Sequence, residues 1–413
     1  MATDQTFEDM LNDYLPNDLL VENLVKKDYV LRSVEKDDGW KGGPLIVPFL
    51  GAGASSIAFG SLTAANDVAE EIAVRGSISA PKEVWGTMIF NYRDLIEHDR
   101  LSVQNLLRIL PDAIERFTDN LKNVLSTNLL NGPHFATLTA DGDASGNITV
   151  DRPDRFSIGQ KCYVDDNNDS LSSACYVRAI VMDTGVVTLY DARTGGSVVN
   201  LSTYTVAQSA KVYHDGAFAS SFTSLRTQLL SSANGGASTI AGQTKTAYPY
   251  LQAINVSGAS VSATSILQDI FSAYVTIRQK GKGNPTEILM SYTNLGHVMS
   301  LVESSKGSFN VVPNSQKTAV YGWTEIMVGS VTNSPLKIVG IQEMDDDVIM
   351  FIDWRAVKFY SNGFFRKVKS PDGNEYFVAR NTTGYQYLVD ICCFGELVLE
   401  RPSYCGIMYG IDI

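Results

Sequence analysis

Gly51-Ala52-Gly53-Ala54-Ser55-Ser56 follows an apolar run and matches the opening of a dinucleotide fingerprint, whose glycines let a backbone turn approach a pyrophosphate. Glu70 and Glu71 sit where that fingerprint would place a ribose-binding acid. Ser56 replaces the third glycine, Pro48 interrupts the preceding strand, and no βαβ sequel follows. A hairpin tip of small residues explains the run better. The Gly-Lys-Ser/Thr ending of a phosphate-cradling P-loop is missing too. Asp165-Asp166-Asn167-Asn168-Asp169 offers calcium-type oxygen ligands, but it lacks the loop glycine and the closing bidentate Glu. It reads as a polar turn ending a strand.

The four histidines, His98, His134, His214 and His297, each lack a second His or Cys at ligand spacing. No G-x-S-x-G occurs, and Cys162 and Cys175 lie in β texture with no adjacent His to activate a thiolate. Two basic groups, Arg278, Lys280, Lys282 and Arg366, Lys367, Lys369, fit a solvated face or a subunit contact better than a nucleic-acid grip. No catalytic, cofactor-binding or metal site follows from these residues, and the expectation is a protein that is not an enzyme.

The elements around these residues say more. The chain has 413 residues, 44% hydrophobic, which suits a folded protein and excludes collagen-like or disulfide-stapled classes. No apolar run approaches the ~20 residues of a membrane span, and the first twenty residues do not read as a secretory signal. Five Cys without a C-x-x-C pair suit a reducing compartment, and a cytoplasm is the expected setting. The formal charge is −12, and Asp4, Glu8, Asp9, Asp13, Asp18 and Glu22 precede the first basic residue, Lys26. Such a terminus is repelled by nucleic acid, the reverse of a phosphate-neutralising arm.

Leu11, Leu15, Leu19, Leu20, Val21 and Leu24 among those acids predict an arm that needs another surface to lie on. Two apolar stretches, 45–50 and 72–78, predict a long two-stranded excursion. An isolated hairpin is marginal in water and needs a covering neighbour. Leu106, Leu107, Leu110, Ile114, Phe117, Leu121, Val124 and Leu125 recur at three and four and predict a long spine helix, with Pro111 kinking it or opening a new first turn. Residues 135–215 switch to short β-rich runs with a turn at Asp183-Thr184-Gly185, predicting a small inserted barrel or sandwich. Helices are predicted over 218–230, 262–280 and 295–305. Strands are predicted over 284–291, 337–344, 347–354, 364–369, 375–380, 387–402 and 405–411, with a turn at Ser370-Pro371-Asp372-Gly373.

Three stretches carry a resemblance when taken in order. Residues 83–132 (EVWGTMIFNYRD…STNLLNG) look like the end of an extended loop running into a spine helix. Residues 266–307 (ILQDIFSAYV…NPTEILMS…) look like the helix, strand and helix of an axial domain. Residues 387–411, with Gly395-Glu396 and Arg401-Pro402, resemble closing strands. Together they resemble the major capsid proteins of tailed double-stranded DNA bacteriophages, the Hong Kong 97-type fold shared with herpesvirus capsid floors and encapsulin shells. The resemblance covers most of 41–134 and 216–413. The β insert departs from the minimal fold.

The resemblance implies an α+β fold laid out along the chain. It comprises an N-terminal arm (1–40), an extended loop (41–84), a peripheral domain with the spine helix (85–134), the inserted β domain (135–215) and an axial domain (216–345). Peripheral-domain strands (346–391) and C-terminal strands returning to the axial domain (392–413) complete it. It implies self-association into hexamers and pentamers of an icosahedral head, which encloses double-stranded DNA without sequence-specific binding and without a membrane. Assembly in the host bacterial cytoplasm, residence in the virion, and a portal, a separate scaffolding protein and a decoration protein as partners belong to the same expectation. Only about forty residues precede the loop, too few for a fused scaffolding segment of the long helical kind. No Lys occurs between Lys41 and Lys82, so a loop-tip isopeptide cross-link is not expected. An encapsulin-type compartment shares the fold and is the alternative. A tail or spike protein would need repeats or a trimerising coiled coil, and neither is visible.

Overall fold

The structure is a computed structural model and describes residues 25–26, 28–41, 43–50, 73–91, 103–165, 172–202, 210–281, 283–304, 325–328, 336–362, 365–371, 377–381 and 384–413. The glycine-rich 51–56 run, most of the acidic arm, His98, Asp166–Asp169 and the Asp372-Gly373 turn lie outside them. The chain divides into two compact units. One is built from Lys82–Ser224 and Phe365–Cys392, the other from Val25–Pro81, Leu225–Phe364 and Cys393–Ile413. Among the described residues, no helix is long and apolar enough to cross a membrane.

In the first unit the spine helix spans Val103–Leu130. Ile114, Leu121, Leu125 and Leu129 are buried along one face, at the spacing that keeps side chains on a single stripe. Pro111 lies inside this helix, which runs unbroken past it. A packed apolar face outweighs the roughly 3 kcal/mol that an interior proline costs a helix. The helix stops at Gly132, whose φ of +126° excludes most side chains. The strand Lys82–Asn91 comes close to the helix at Gly86, where an added Cβ would lie 2.7 Å from the Phe117 ring. That strand pairs with the long strand Gly384–Leu399. Phe377–Asn381 and Arg366–Lys367 also pair antiparallel with it, at Gly384–Leu388 and at Ile391–Cys392.

Residues 134–214 of the same unit form a closed six-stranded barrel. Around it run His134–Ala140, Asn147–Val150, Val186–Tyr190, Cys175–Val181, Lys161–Val164 and Lys211–His214, the last pairing back onto the first. Period-two alternation turns Cys162, Val164, Cys175, Val177, Val187, Leu189 and Val212 inward, where they pack with Phe135, Leu138 and Phe156.

The second unit is organised on a six-stranded mixed sheet in the order Ile254–Ser257, Gly406–Tyr409, Val348–Ile352, Glu287–Met290, Leu336–Gly340, Glu325–Val328. Val348–Ile352 is buried at all five positions, as a strand covered on both faces must be. The helix Ile266–Gly281 lays Ile266, Ile270, Ala273, Tyr274 and Ile277 into that core, joined by Leu295 and Val298 of the helix Tyr292–Ser304. The hairpin Leu45–Leu50/Ala73–Ile78 belongs to this unit and runs in register from Leu45↔Ile78 to Leu50↔Ala73. Pro48 sits within its first strand opposite Arg75 and does not interrupt it. Every strand of a two-stranded ladder has a free edge, where a missing N–H is tolerated. Val47 and Phe49 are buried with Trp40, Ile240 and Leu251. The Ser77 amide also donates to the Ala241 carbonyl at 2.8 Å, so a neighbouring turn covers the base of the hairpin.

The helix expected over 218–230 is instead two short ones, Ala217–Ser220 and Leu225–Leu229, separated by a segment that Ser221 opens in an extended conformation. Tertiary partners account for the break. The Gln228 amide donates to the Leu397 carbonyl and accepts from the Leu399 amide, both at 2.8 Å, so the second helix is oriented by a strand. Buried Lys245 donates its ammonium to the carbonyls of Thr227, Gln228 and Leu230 at 3.3, 2.6 and 2.8 Å, closing that helix's C-terminal end.

Burial lowers the Lys245 pKa to about 8. Between that value and the 10.5 of free lysine, the unfolded chain holds a proton that the folded chain has released. This residue's contribution to stability therefore rises with pH across the window. Lys245→Met keeps the apolar stem but leaves three carbonyls without their donor. It is expected to cost about 2 kcal/mol and to remove that alkaline gain. Denaturant titrations of both proteins at pH 7.5 and 10 read both effects.

Candidate assembly surfaces

The residues that could do chemistry are dispersed. Cys162 and Cys175 face each other across two barrel strands, both buried and both free thiols. Burial pushes each thiol's pKa up, the opposite of an activated nucleophile. Cys392, Cys393 and Cys405 are buried and free as well. His134 lies in the first barrel strand, edge-on to Tyr213, and His297 lies in the helix Tyr292–Ser304. His214 closes the last barrel strand, its Nδ1 3.1 Å from the Gln160 amide and its ring stacked on Phe135 at 4.2 Å. The Asp165 amide donates to the Lys211 carbonyl. Lys367 is buried while Arg366 is exposed, so the second basic group does not form one face. Among the described residues, no three His, Cys, Asp or Glu side chains gather as metal ligands would.

What the described elements of each unit present instead is apolar surface. Along Lys82–Asn91, Met88 turns inward, and Gly86 approaches the spine helix as described above. Alternation leaves Trp85 53% and Ile89 52% exposed on the opposite face, flanking Thr87, whose hydroxyl donates to Asp390 at 2.7 Å. In the other unit, the hairpin that buries Val47 and Phe49 leaves Ile46 60% exposed. On the helix Ile266–Gly281, Leu267, Phe271 and Val275 follow one another at i, i+4 and i+8 around a shallow apolar groove, with Val275 49% exposed. Large apolar side chains scattered singly, such as Ile46, need no explanation, but the strand and the helix each presenting an ordered apolar row fit contact with other molecules. The sequence signal for Trp85 and Ile89 was the consecutive apolar residues in KEVWGTMIFN, Val84-Trp85 and Met88-Ile89-Phe90, which put apolar side chains on both faces of one strand.

The electrostatics of these elements are structural. Arg226 holds Asp345 and Asp347, with guanidinium–carboxylate distances of 3.1 and 2.5 Å, and fixes the acidic turn before the central strand. The Asn294 amide donates to the Asp346 carbonyl of the same turn at 2.8 Å.

Solved structures similar to the chain include the capsid of cyanophage A-1(L), at 12% identity over 92% of this chain and 91% of that one, with a TM-score of 0.44. The capsid of a native GTA particle is similar at 11% identity over 92% and 90%, with a TM-score of 0.44. The SrpI encapsulin complex of Synechococcus elongatus PCC 7942 is similar at 9% identity over 93% and 87%, with a TM-score of 0.41. No family model matches the chain, and no curated protein does.

Burial, with the Arg155 charge as a smaller contribution, lowers the His214 pKa to about 4. Unfolded histidine takes up its proton near 6.5, so the stability that neutral His214 supports is complete above that pH. It is lost as the pH falls towards 4. Thermal melts followed by near-ultraviolet circular dichroism at pH 7 and pH 4.5 are expected to show this acid loss. His214→Gln keeps a hydrogen-bonding side chain without the charge, and should reduce the loss by on the order of 2 kcal/mol.

Proposed function

We propose that this chain is the major capsid protein of a tailed double-stranded DNA bacteriophage. In this reading it has a Hong Kong 97-type fold and assembles as hexamers and pentamers into an icosahedral head. The observation that carries the reading is the order of elements in one chain. An acidic arm precedes a long hairpin, and the hairpin precedes a 28-residue amphipathic helix. A mixed sheet with packed helices follows, and the strand Lys82–Asn91 and the helix Ile266–Gly281 keep rows of apolar side chains at the surface, with Ile46 exposed on the hairpin. A shell built from many copies covers such rows by repeating a few contacts around symmetry axes, at roughly 25 cal/mol per Å² of apolar area buried.

The net charge fits the same role. A wall of like charge does not trap a genome that is pumped in by a motor, and counterions carry the repulsion. Shells that gather nucleic acid by charge need a basic arm, and residues 1–25 are acidic. Residence in the virion, assembly in the host bacterial cytoplasm, and a portal, a scaffolding protein and a decoration protein as partners complete the reading. Its catalytic role is none.

Negative-stain microscopy of the concentrated protein, co-expressed with its genomic neighbours, is expected to show closed and uniform icosahedral particles. A monodisperse monomer or small trimer under all conditions would overturn the proposal. Closed shells that carry a protein cargo where no portal or terminase gene is adjacent would move it to an encapsulin-type compartment. Deleting residues 1–24, which leaves the buried Asp28 and Val30 in place, is expected to leave a soluble protomer that no longer assembles, read by size-exclusion chromatography with light scattering.

A further inference from the structure

The outer face of the inserted barrel has an organisation that its core does not require. Where Cys162, Cys175, Val177, Val187 and Leu189 point in, Lys161, Tyr163, Tyr176, Arg178 and Tyr190 are the residues between them and point out. Register brings them together. Lys161 is directly opposite Tyr176, and Tyr176 is directly opposite Tyr190, so the row crosses three neighbouring strands. Tyr163 stands two residues from Lys161 on the same face and opposite Tyr213 on the next strand. The Tyr213 ring is covered edge-on by Phe218 at 5.2 Å, which walls the row at that end.

Two cations are set against these rings. The Lys161 ammonium lies 5.5 Å from the Tyr163 ring centre, and the Arg178 guanidinium lies 5.0 Å from that of Tyr190. Arg178 reaches its ring at a break in the ladder register between Val177 and Ala179, and such bulges re-aim a side chain. Lys161 is also paired with Asp215 at 3.0 Å, which places a carboxylate and an ammonium together at the rim of the row.

We propose that this tyrosine row is a binding platform for a neutral oligosaccharide. A sugar ring presents an apolar C–H face suited to an aromatic ring and a rim of hydroxyls that both donate and accept hydrogen bonds. Tyr163, Tyr176 and Tyr190 supply the first kind of contact. Their hydroxyls, Lys161, Asp215 and Arg178 supply the second. Strands about 4.8 Å apart put Lys161 and Tyr190 about 10 Å apart on either side of Tyr176, the length of two hexose units, with Tyr163 two residues further along its strand.

Charge argues against a polyanion. Residues 134–215 hold ten Asp against six Lys and Arg, so a nucleic acid or sulfated chain is repelled by the barrel as a whole. Purely apolar partners are disfavoured because each ring ends in a hydroxyl that would have to be desolvated. The inference stands apart from the shell reading, since it needs only the barrel face.

The test uses the full chain on an array of neutral oligosaccharides, two to six units of glucose, galactose, mannose or N-acetylglucosamine. Heparin and a single-stranded DNA oligonucleotide serve as polyanion controls. Binding to at least one neutral series is expected, weakened about tenfold by Tyr176→Ala or Tyr190→Ala and only about threefold by Tyr176→Phe, which keeps the ring and loses the hydroxyl. Circular dichroism melts of each variant confirm that the barrel is folded. Array signal no greater for the parent chain than for folded Tyr176→Ala would overturn the proposal. So would preference for heparin or DNA, or binding only to another protein.

Discussion

Along Cys175–Val181 the chain cannot turn Cys175 and Val177 into the barrel without turning Tyr176 and Arg178 out of it. That coupling between two faces of a strand underlies the surfaces in both units. The hairpin that seats Val47 and Phe49 against Trp40 exposes Ile46 by the same rule, and the strand that buries Met88 exposes Trp85 and Ile89. Once the buried face is fixed by apolar packing, the content of the other face is free to serve contacts. Here that content is apolar or aromatic to a degree that solubility alone would not favour.

The buried side of the bargain differs between the units. In the barrel, closure removes strand edges, and a small core of Val, Leu, Cys and Phe is sufficient. In the mixed sheet, Val348–Ile352 is enclosed on both faces, and its neighbours pair with it antiparallel on either side. Polar side chains then do what ladders cannot. Lys245 closes a helix five residues long, Gln228 replaces a strand neighbour, and Arg226 pins the acidic turn. Each satisfies backbone or carboxylate groups that would otherwise be costly to bury.

Under the proposed reading the chain needs rigid units that carry contact surfaces, and the exposed apolar side chains of the strand Lys82–Asn91 and the helix Ile266–Gly281 are such surfaces. The barrel is a separate opportunity. As a closed insert with its own core, it can carry a recognition face without altering the contacts made by the remainder of the chain.

Local pattern was enough to read much of this from the sequence alone. The three- and four-residue spacing of Ile114, Phe117, Leu121 and Leu125 marked the spine helix, two apolar runs around a small-residue tip marked the hairpin, and short alternating runs marked β structure over 135–215. What local pattern misjudged was decided by partners distant in the chain. Pro48 is tolerated at a ladder edge, and the second half of 218–230 is a separate short helix that Gln228 ties to Leu397 and Leu399. The closure of Lys211–His214 onto both His134–Ala140 and Lys161–Val164 is a pairing across about fifty to eighty residues, which no local periodicity encodes. Residue types and their alternation along each strand were therefore written in the sequence. Lys161, Tyr176 and Tyr190 stand side by side, with Tyr163 two residues further along the first strand, only because strand register, a property of the assembled sheet, puts them there.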